Sequence, residues 1–268
     1  MFTKDRVFND STKKTILVAL GVCLICSVLV STTAVVLKGI QAENQQNERL
    51  RNILEAGSLL SDDTNITEVY HEKIWSALVD LKTGNYLPES EYNEQLNIEK
   101  FDIKKIAQDL NYGLPVSREH DIAQIKRMPK YMVVYHVKEG DGFGKLILPV
   151  YGQGLWSTMY GFIALDRDLR TVTGFTFYEH GETPGLGGEV DNPRWKQSWI
   201  GKQAFDVEGN VCIQVVKGQV YSDDPFANRK IDGLSGSTLT TRGVDCLVRF
   251  WLGDQGYGPY VRRLRNED

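Results

Sequence analysis

The sequence predicts an α+β protein in which a single N-terminal transmembrane helix precedes a soluble part with a mainly antiparallel sheet. Three observations support this fold class: one long uncharged apolar segment, several short β-branched and aromatic runs after Tyr131, and one amphipathic stretch near the C-terminus. The chain has 268 residues, of which 41% are hydrophobic and 25% are charged, as in ordinary globular proteins. The net charge of −4, without any long basic run, argues against nucleic acid as a partner.

The apolar segment at residues 15–37 carries no charge and is long enough to cross a hydrocarbon core of roughly 30 Å. Four positive charges precede this segment, at Lys4, Arg6, Lys13 and Lys14. Only one, Lys38, follows it directly. This asymmetry predicts a cytoplasmic N-terminus at residues 1–14 and a single-pass protein whose soluble part is periplasmic, in a bacterial inner membrane. A cleaved signal peptide is the alternative, but its apolar region is shorter, at about 7–15 residues.

Residues 38–130 are predicted to form a stalk followed by helices and loops. Residues 41–54 are polar with sparse apolar positions, which indicates a helical extension of the anchor. Residues 67–81 are predicted to form a second helix, because apolar side chains recur near helical spacing and Thr67 can cap its start. Residues 89–109 are charged and are expected to form surface helix or loop.

Residues 131–268 are predicted to form the domain that carries the function. Four runs rich in β-branched and aromatic residues predict strands, at residues 131–137, 146–150, 171–178 and 211–216. The late helix is predicted over residues 241–252, where four apolar positions share one face, and Gly253 is a natural stop.

Cysteine and histidine give no sign of a metal site. Cys23 and Cys26 lie in the apolar segment and are interpreted as apolar filling rather than as a redox or metal pair. Cys212 and Cys246 are expected to be buried free thiols, although their spacing leaves a disulfide open. The four histidines lack metal-ligand spacing, so no bound metal is expected.

The segment from Asp232 to Thr238, Asp-Gly-Leu-Ser-Gly-Ser-Thr, directly precedes the late helix. Small hydroxyl residues and glycine at a helix start suit an anion, because free backbone N–H groups and the helix dipole both face it. Asp232 adds a negative charge, which is unusual beside an anion. It suits a site in which a hydroxyl is activated or a divalent ion is bound. The same pattern is also that of an ordinary helix cap rich in Ser and Thr.

This segment resembles the flavinylation motif of covalent FMN-binding domains, D-x-x-S/T-G-A-T/S. Asp232, Ser235, Gly236 and Thr238 match the motif, and Ser237 stands where Ala is usual. The resemblance implies FMN attached covalently through its phosphate to the Thr238 hydroxyl, with Ser235, Gly236 and Ser237 around the phosphate. Ser237 adds a competing hydroxyl, and Thr240 and Thr241 are more distant alternatives.

A glycine-rich loop at residues 180–188 resembles the segment that lies along the isoalloxazine ring in the same family. Its glycines, including Gly185 and Gly187, expose backbone amides, and Leu186 offers an apolar face to a flat ring. Glu182 and Thr183 complete the candidate ring contacts. Taken alone, such a loop could be a plain connection.

Residues 151–161 and 192–195 resemble segments of the C subunit family of the Na⁺-translocating NADH:quinone reductases. Trp156, Met159 and Tyr160 are interpreted as core residues rather than as cofactor contacts. The resemblance implies that a separate flavin transferase moves FMN from FAD onto the chain. It also implies one-electron transfer towards ubiquinone, from an iron–sulfur centre of the D and E subunits to a second covalent FMN in the B subunit. No residue is assigned as a catalytic base.

Three other functions are alternatives. The G subunit of the Rnf ferredoxin:NAD⁺ complex shares the anchor and the flavinylated hydroxyl, but it is generally shorter before the flavin domain, whereas residues 41–130 are long here. A non-redox periplasmic flavin-binding module predicts that activity survives loss of the Thr238 hydroxyl, and a structural tether predicts no cofactor. The apolar segment holds no carboxylate, so this protein is not expected to line the ion path.

Overall fold

The computed structural model describes residues 4–61, 65–140 and 142–267. The predicted segments 1–14, 38–130 and 131–268 therefore include positions outside the described residues, at 1–3, 62–64, 141 and 268. Contacts divide the chain into two compact units, residues 1–47 and 48–268.

The first helix, α1, comprises Lys4–Ala56. Its apolar side chains from Ile16 to Leu37 are exposed, and within the part of the chain that the structure describes it is the one helix long and apolar enough to cross a membrane. The predicted anchor and its predicted helical extension thus lie in one continuous helix. Its last turns belong to the second unit, where Ile53 and Leu54 are buried in the core.

The second unit contains the remaining helices and strands. The helices are α2 (Ile66–Lys73), α3 (Ile103–Gln108), α4 (Pro193–Gln197), α5 (Thr238–Leu252) and α6 (Gly258–Glu267). The strands are β1 (Ile74–Asp80), β2 (Gly113–Pro115), β3 (Arg127–Pro129), β4 (Tyr131–Glu139), β5 (Gly142–Gln153), β6 (Thr158–Asp166), β7 (Val172–Glu179), β8 (Gln214–Val215) and β9 (Lys230–Ile231). Short 3₁₀ turns occur at Glu89–Glu91, Gly187–Asp191 and Ala227–Arg229.

The main sheet has five strands in the order β1-β4-β5-β6-β7, and every neighbouring pair is antiparallel. Two further two-stranded sheets pair β2 with β3 antiparallel and β8 with β9 parallel. The prediction of an α+β fold with a mainly antiparallel sheet is confirmed.

The predicted helix at residues 67–81 is wrong in its second half. Helix α2 ends at Lys73, and Ile74–Asp80 forms β1, which pairs with β4 along its whole length. Both Leu78 and Val79 are fully buried by this pairing. The cap is also different: Asn65 rather than Thr67 accepts a hydrogen bond, from the Glu68 N–H at 3.4 Å.

Three of the four predicted strands are confirmed as parts of β4, β5 and β7. In the fourth, residues 211–216, only Gln214–Val215 forms a strand, and Val211 makes an isolated bridge to Phe205. Strand β6 and helix α6 were not predicted. The late helix begins at Thr238, three residues earlier than predicted, and ends before Gly253 as predicted.

All four cysteines are free thiols. Cys212 and Cys246 are half-buried rather than buried as predicted. Burial raises the pKa of both thiols above its usual value, which lowers the reactivity of each at neutral pH.

Close packing of α5 on β5 determines the position of the candidate site. A Cβ added to Gly152 would lie 2.5 Å from Leu247 Cβ, and one added to Gly243 would lie 2.5 Å from the Gln153 carbonyl oxygen. The indole N–H of Trp251 donates to the Tyr151 carbonyl at 2.6 Å. The end of β5 therefore lies beside the start of α5.

Candidate functional site

Three segments of the chain meet at the side chain of Glu182, which is 5% exposed. One carboxylate oxygen accepts the backbone N–H of Trp156 at 3.0 Å, and the other accepts the hydroxyl of Thr240. The turn after β5, the glycine-rich loop at residues 180–188 and the start of α5 are therefore joined through one carboxylate.

Two glycines make room for this carboxylate. A Cβ on Gly154 would lie 2.5 Å from one Glu182 oxygen, and a Cβ on Gly187 would lie 2.7 Å from the other and 2.6 Å from the Thr240 hydroxyl. Because neither distance is compatible with a real side chain, both positions need glycine for close approach.

The start of α5 carries four hydroxyl groups in different environments. The Ser237 hydroxyl donates to Thr240 at 2.8 Å, and the Thr241 hydroxyl donates to the Ser237 carbonyl at 2.9 Å. Ser237, Thr240 and Thr241 are all buried. Thr238 is exposed, and its hydroxyl takes no part in this network of described residues.

The first N–H groups of α5 are open to an anion. Ser237 is the N-cap residue, but its hydroxyl makes no capping hydrogen bond because it points towards Thr240. An uncapped start of a 15-residue helix presents unpaired backbone donors and the positive end of the helix dipole.

The turn before α5 contacts the glycine-rich loop. Gly236 has φ of +73°, which favours glycine, and a Cβ there would lie 3.0 Å from Leu186 Cδ2. Ser235 and Gly236 are exposed, as are Thr183 and Gly185 on the loop. The structure therefore brings the two predicted segments together, although they are some fifty residues apart in the sequence.

Large apolar side chains from the three joined segments are exposed: Leu155, Trp156, Leu186 and Leu239. The prediction that Trp156 is a core residue is wrong, since its side chain is 68% exposed, whereas Met159 is fully buried as predicted. Tyr160 is half-buried. Trp156 lies in the turn between β5 and β6, and recognising β6 in the sequence would have predicted that exposure.

Asp232 lies at the other end of the turn, and its carboxylate accepts the Val220 N–H at 2.6 Å. Its carbonyl accepts the indole N–H of Trp195 at 2.9 Å. The first contact holds the segment before β9 against the turn, and the second holds helix α4 against it. Within the described ranges, no group of three or more His, Cys, Asp or Glu side chains could hold a metal ion.

His180 begins the glycine-rich loop, and no role for its side chain was predicted from the sequence. Its Nε2 lies 2.7 Å from Asp191 Oδ2, and its Nδ1 accepts the Glu182 N–H at 3.2 Å. The hydrogen bond to Asp191 raises the pKa of His180 above its usual value. The imidazole therefore ties the start of the glycine-rich loop to the 3₁₀ turn that follows it.

Comparison with known proteins gives one family match and several full-length relatives. Residues 154–253, which contain all three joined segments, match the family model described as FMN-binding domain. Over 262 residues the chain is 46% identical to the C subunit of the Na⁺-translocating NADH-quinone reductase of Pseudomonas aeruginosa, covering 96% of this chain and 97% of that protein. It is 43% identical to the protein of the same name from Yersinia pestis, over 96% and 94% of the two chains.

Solved structures with the same fold include the crystal structure of Shewanella oneidensis NqrC. It superposes with a TM-score of 0.74 at 31% identity, over 84% of this chain and 99% of that one. The crystal structure of the C subunit of the Na⁺-translocating NADH-quinone reductase from Parabacteroides distasonis gives a TM-score of 0.62 at 26% identity, over 85% and 96%.

Proposed function

The chain belongs to the C subunit family of the Na⁺-translocating NADH-quinone reductases, and from this membership we propose that it relays electrons through an FMN attached by a phosphoester to Thr238. Electron transfer is the chemistry that a flavin supplies when bound, while the protein sets its position and potential. The observation that supports this choice is that, of the four hydroxyls at the uncapped start of α5, Thr238 is the exposed one that lies outside the buried network.

The choice of Thr238 over its neighbours rests on access. Ser237 is 5% exposed and Thr240 is fully buried, and each hydroxyl is engaged in the chain that ends on Glu182. A transferase must bring a phosphorus atom to the attacking oxygen, and a buried oxygen cannot be reached without opening the helix start. Thr238 needs no such rearrangement.

The residues present fit both ends of FMN. The open N–H groups of α5 suit the phosphate, and helical spacing puts the exposed Arg242 on the same helix face as Thr238. The exposed Leu186 and Trp156 suit a flat apolar ring, and the backbone amides of the glycine-rich loop suit its polar edge.

Attachment is a phosphoryl transfer in which no redox change occurs. The Thr238 hydroxyl oxygen forms a bond to the FMN phosphorus of FAD, the bond from that phosphorus to AMP breaks, and the hydroxyl proton is released. The protein contributes an accessible oxygen and the N–H groups that stabilise charge on the phosphate.

The charge asymmetry around residues 15–37 supports a single-pass inner-membrane protein with a periplasmic soluble part. A covalent bond then prevents cofactor loss where no cytoplasmic FMN pool can refill the site. We propose the B subunit and the iron–sulfur-bearing D and E subunits as electron partners, and a flavin transferase as the maturation partner. Family membership favours this function over the Rnf G subunit.

Mass and fluorescence of the full chain test the proposal. The wild-type chain, co-expressed with its flavin transferase, should fluoresce on a denaturing gel and gain the mass of one FMN less water. Thr238→Ala should lose both signals and the quinone reductase activity of the assembled complex, whereas Ser237→Ala, the matched control, should keep the label. An unlabelled wild-type chain, or a fully labelled Thr238→Ala variant, would refute the attachment.

A further inference from the structure

We propose that Glu182 is a positioning residue for the phosphoryl acceptor: through Thr240 it holds the Ser237 hydroxyl inside the protein, so that the helix start stays open and Thr238 is the hydroxyl that reacts. This inference rests on the proposed attachment and deepens it. It assigns Glu182 a role distinct from contact with the flavin ring.

The direction of the hydrogen bonds carries the argument. Both carboxylate oxygens of Glu182 accept a hydrogen bond: one accepts the Trp156 N–H, and the other accepts the Thr240 hydroxyl. The Thr240 oxygen is then left as an acceptor, and the Ser237 hydroxyl donates to it. One buried carboxylate thereby sets the orientation of two successive hydroxyls.

This orientation affects the anion site directly. Serine is a favoured N-cap residue, and its usual role is to accept a backbone N–H of the first helical turn. The Ser237 hydroxyl does not make this capping hydrogen bond, because its side chain is turned inward and buried. The N–H groups that a capping serine would occupy remain available to a phosphate on Thr238.

Replacing Glu182 by Gln reverses this chain without changing its volume. Gln has one acceptor and one donor, and the Trp156 N–H requires the acceptor, so the amide NH₂ faces Thr240 and donates to it. Thr240 then donates to Ser237, whose own proton loses its buried acceptor. An unpaired buried hydroxyl proton is unfavourable, so the inward orientation of Ser237 is weakened relative to the capping position. Capping would compete with phosphate for the same N–H groups.

The test measures the initial rate of covalent labelling of the full chain in detergent, with purified flavin transferase and FAD, by gel fluorescence and intact mass. We expect labelling of Glu182→Gln to be at least about tenfold slower than wild type. The surface carboxylate variant Glu179→Gln should label at the wild-type rate, because Glu179 pairs with Lys104 outside the site.

A pair of Thr240 variants distinguishes a role in the hydrogen-bond chain from Glu182 to Ser237, called the relay below, from a role in packing. Thr240→Val keeps the shape and loses the hydroxyl, whereas Thr240→Ser keeps the hydroxyl and loses a methyl group. A relay predicts slow labelling of the valine variant and near-normal labelling of the serine variant; a packing role predicts the opposite order. Wild-type labelling of Glu182→Gln, or the reversed Thr240 order, would overturn the inference.

The same experiment distinguishes failure of this inference from failure of the proposed attachment. If attachment to Thr238 is wrong, the wild-type chain stays unlabelled or Thr238→Ala labels normally. If only the role of Glu182 is wrong, wild type labels, Thr238→Ala does not, and Glu182→Gln matches wild type.

Discussion

Nε2 of His180 lies 2.7 Å from Asp191 Oδ2, and this contact connects the glycine-rich loop with the 3₁₀ turn at Gly187–Asp191. The hydrogen bond and the charge of Asp191 raise the pKa of His180. The folded protein therefore holds this proton more tightly than the unfolded chain, in which the pKa of histidine is about 6.5. The resulting stabilisation is complete below that pH and is lost as pH rises through the folded pKa.

Asp191→Asn should consequently lower the free energy of unfolding more at pH 5.5 than at pH 9. The reason is that His180 releases its proton as pH rises, so its charge-assisted hydrogen bond to Asp191 is present at the lower pH. Urea unfolding of the detergent-solubilised chain, followed by tryptophan fluorescence, measures the difference. Glu179→Gln is the control, because it removes a carboxylate that pairs with a lysine rather than with a histidine. An equal loss at both pH values would contradict the assignment.

We expect His136 to make the stability of the folded protein depend on pH in the opposite direction. Its side chain is 1% exposed, Nε2 lies 2.8 Å from the Tyr260 hydroxyl, and Nδ1 has no partner among the described residues. Burial, with a smaller effect from Arg263, lowers its pKa to about 4. Between pH 6.5 and pH 4 the unfolded chain binds a proton that the folded protein does not, so stability falls as pH falls.

Between pH 6.5 and pH 4 the titration of His136 lowers the free energy of unfolding by roughly 3 kcal/mol, at about 1.4 kcal/mol per unit of pKa shift. His136→Gln, which does not titrate, should show a shallower fall in the urea midpoint between pH 7 and pH 4. An identical slope in wild type and variant would show that other groups govern acid sensitivity.

Three strands of the main sheet and the late helix could be predicted from the sequence because their patterns are local. Helix α5 has one apolar face, and β4, β5 and β7 are dense in β-branched and aromatic residues. Strand β1 could not be predicted, because its apolar spacing also fits a helix and only pairing with β4 decides between them.

The candidate site, too, could be predicted from the sequence only in part. The Asp232–Thr238 turn and the glycine-rich loop are contiguous motifs, so both could be found in the sequence. The roles of Glu182, Thr240 and Trp156 depend on contacts between segments distant in sequence, such as the Trp156 N–H to Glu182 bond over 26 positions. No local pattern predicts which carboxylate is buried against which hydroxyl.

Gly187→Ala should disturb the site without altering any polar group. The added Cβ would lie 2.6 Å from the Thr240 hydroxyl and 2.7 Å from Glu182, so both must move. We expect destabilisation by about 1–3 kcal/mol and slow covalent labelling. Gly142→Ala is the matched control, since a Cβ there meets no atom of the described residues within 4 Å and should change neither quantity. Normal labelling of Gly187→Ala would mean that the loop can shift freely.

A buried polar pair links the last turns of α1 to β7 and offers a test of the core. The Thr176 hydroxyl donates to Asn52 Oδ1 at 3.0 Å, and the two residues are 1% and 3% exposed. Lys196 Nζ lies 2.9 Å from the same hydroxyl and 2.9 Å from Glu55. Removal of either partner leaves a buried polar atom unpaired, which costs about 1–3 kcal/mol.

A double-mutant cycle should therefore be strongly non-additive. Thr176→Val leaves the Asn52 oxygen without its donor, and Asn52→Leu leaves the Thr176 hydroxyl without its acceptor. The double variant removes both groups, so it should lose about 1 kcal/mol less than the sum of the single losses in urea unfolding. Asn52→Leu combined with Thr83→Val, at the opposite edge of the sheet, should be additive. Additivity in both cycles would mean that water pairs with these groups as well as they pair with each other.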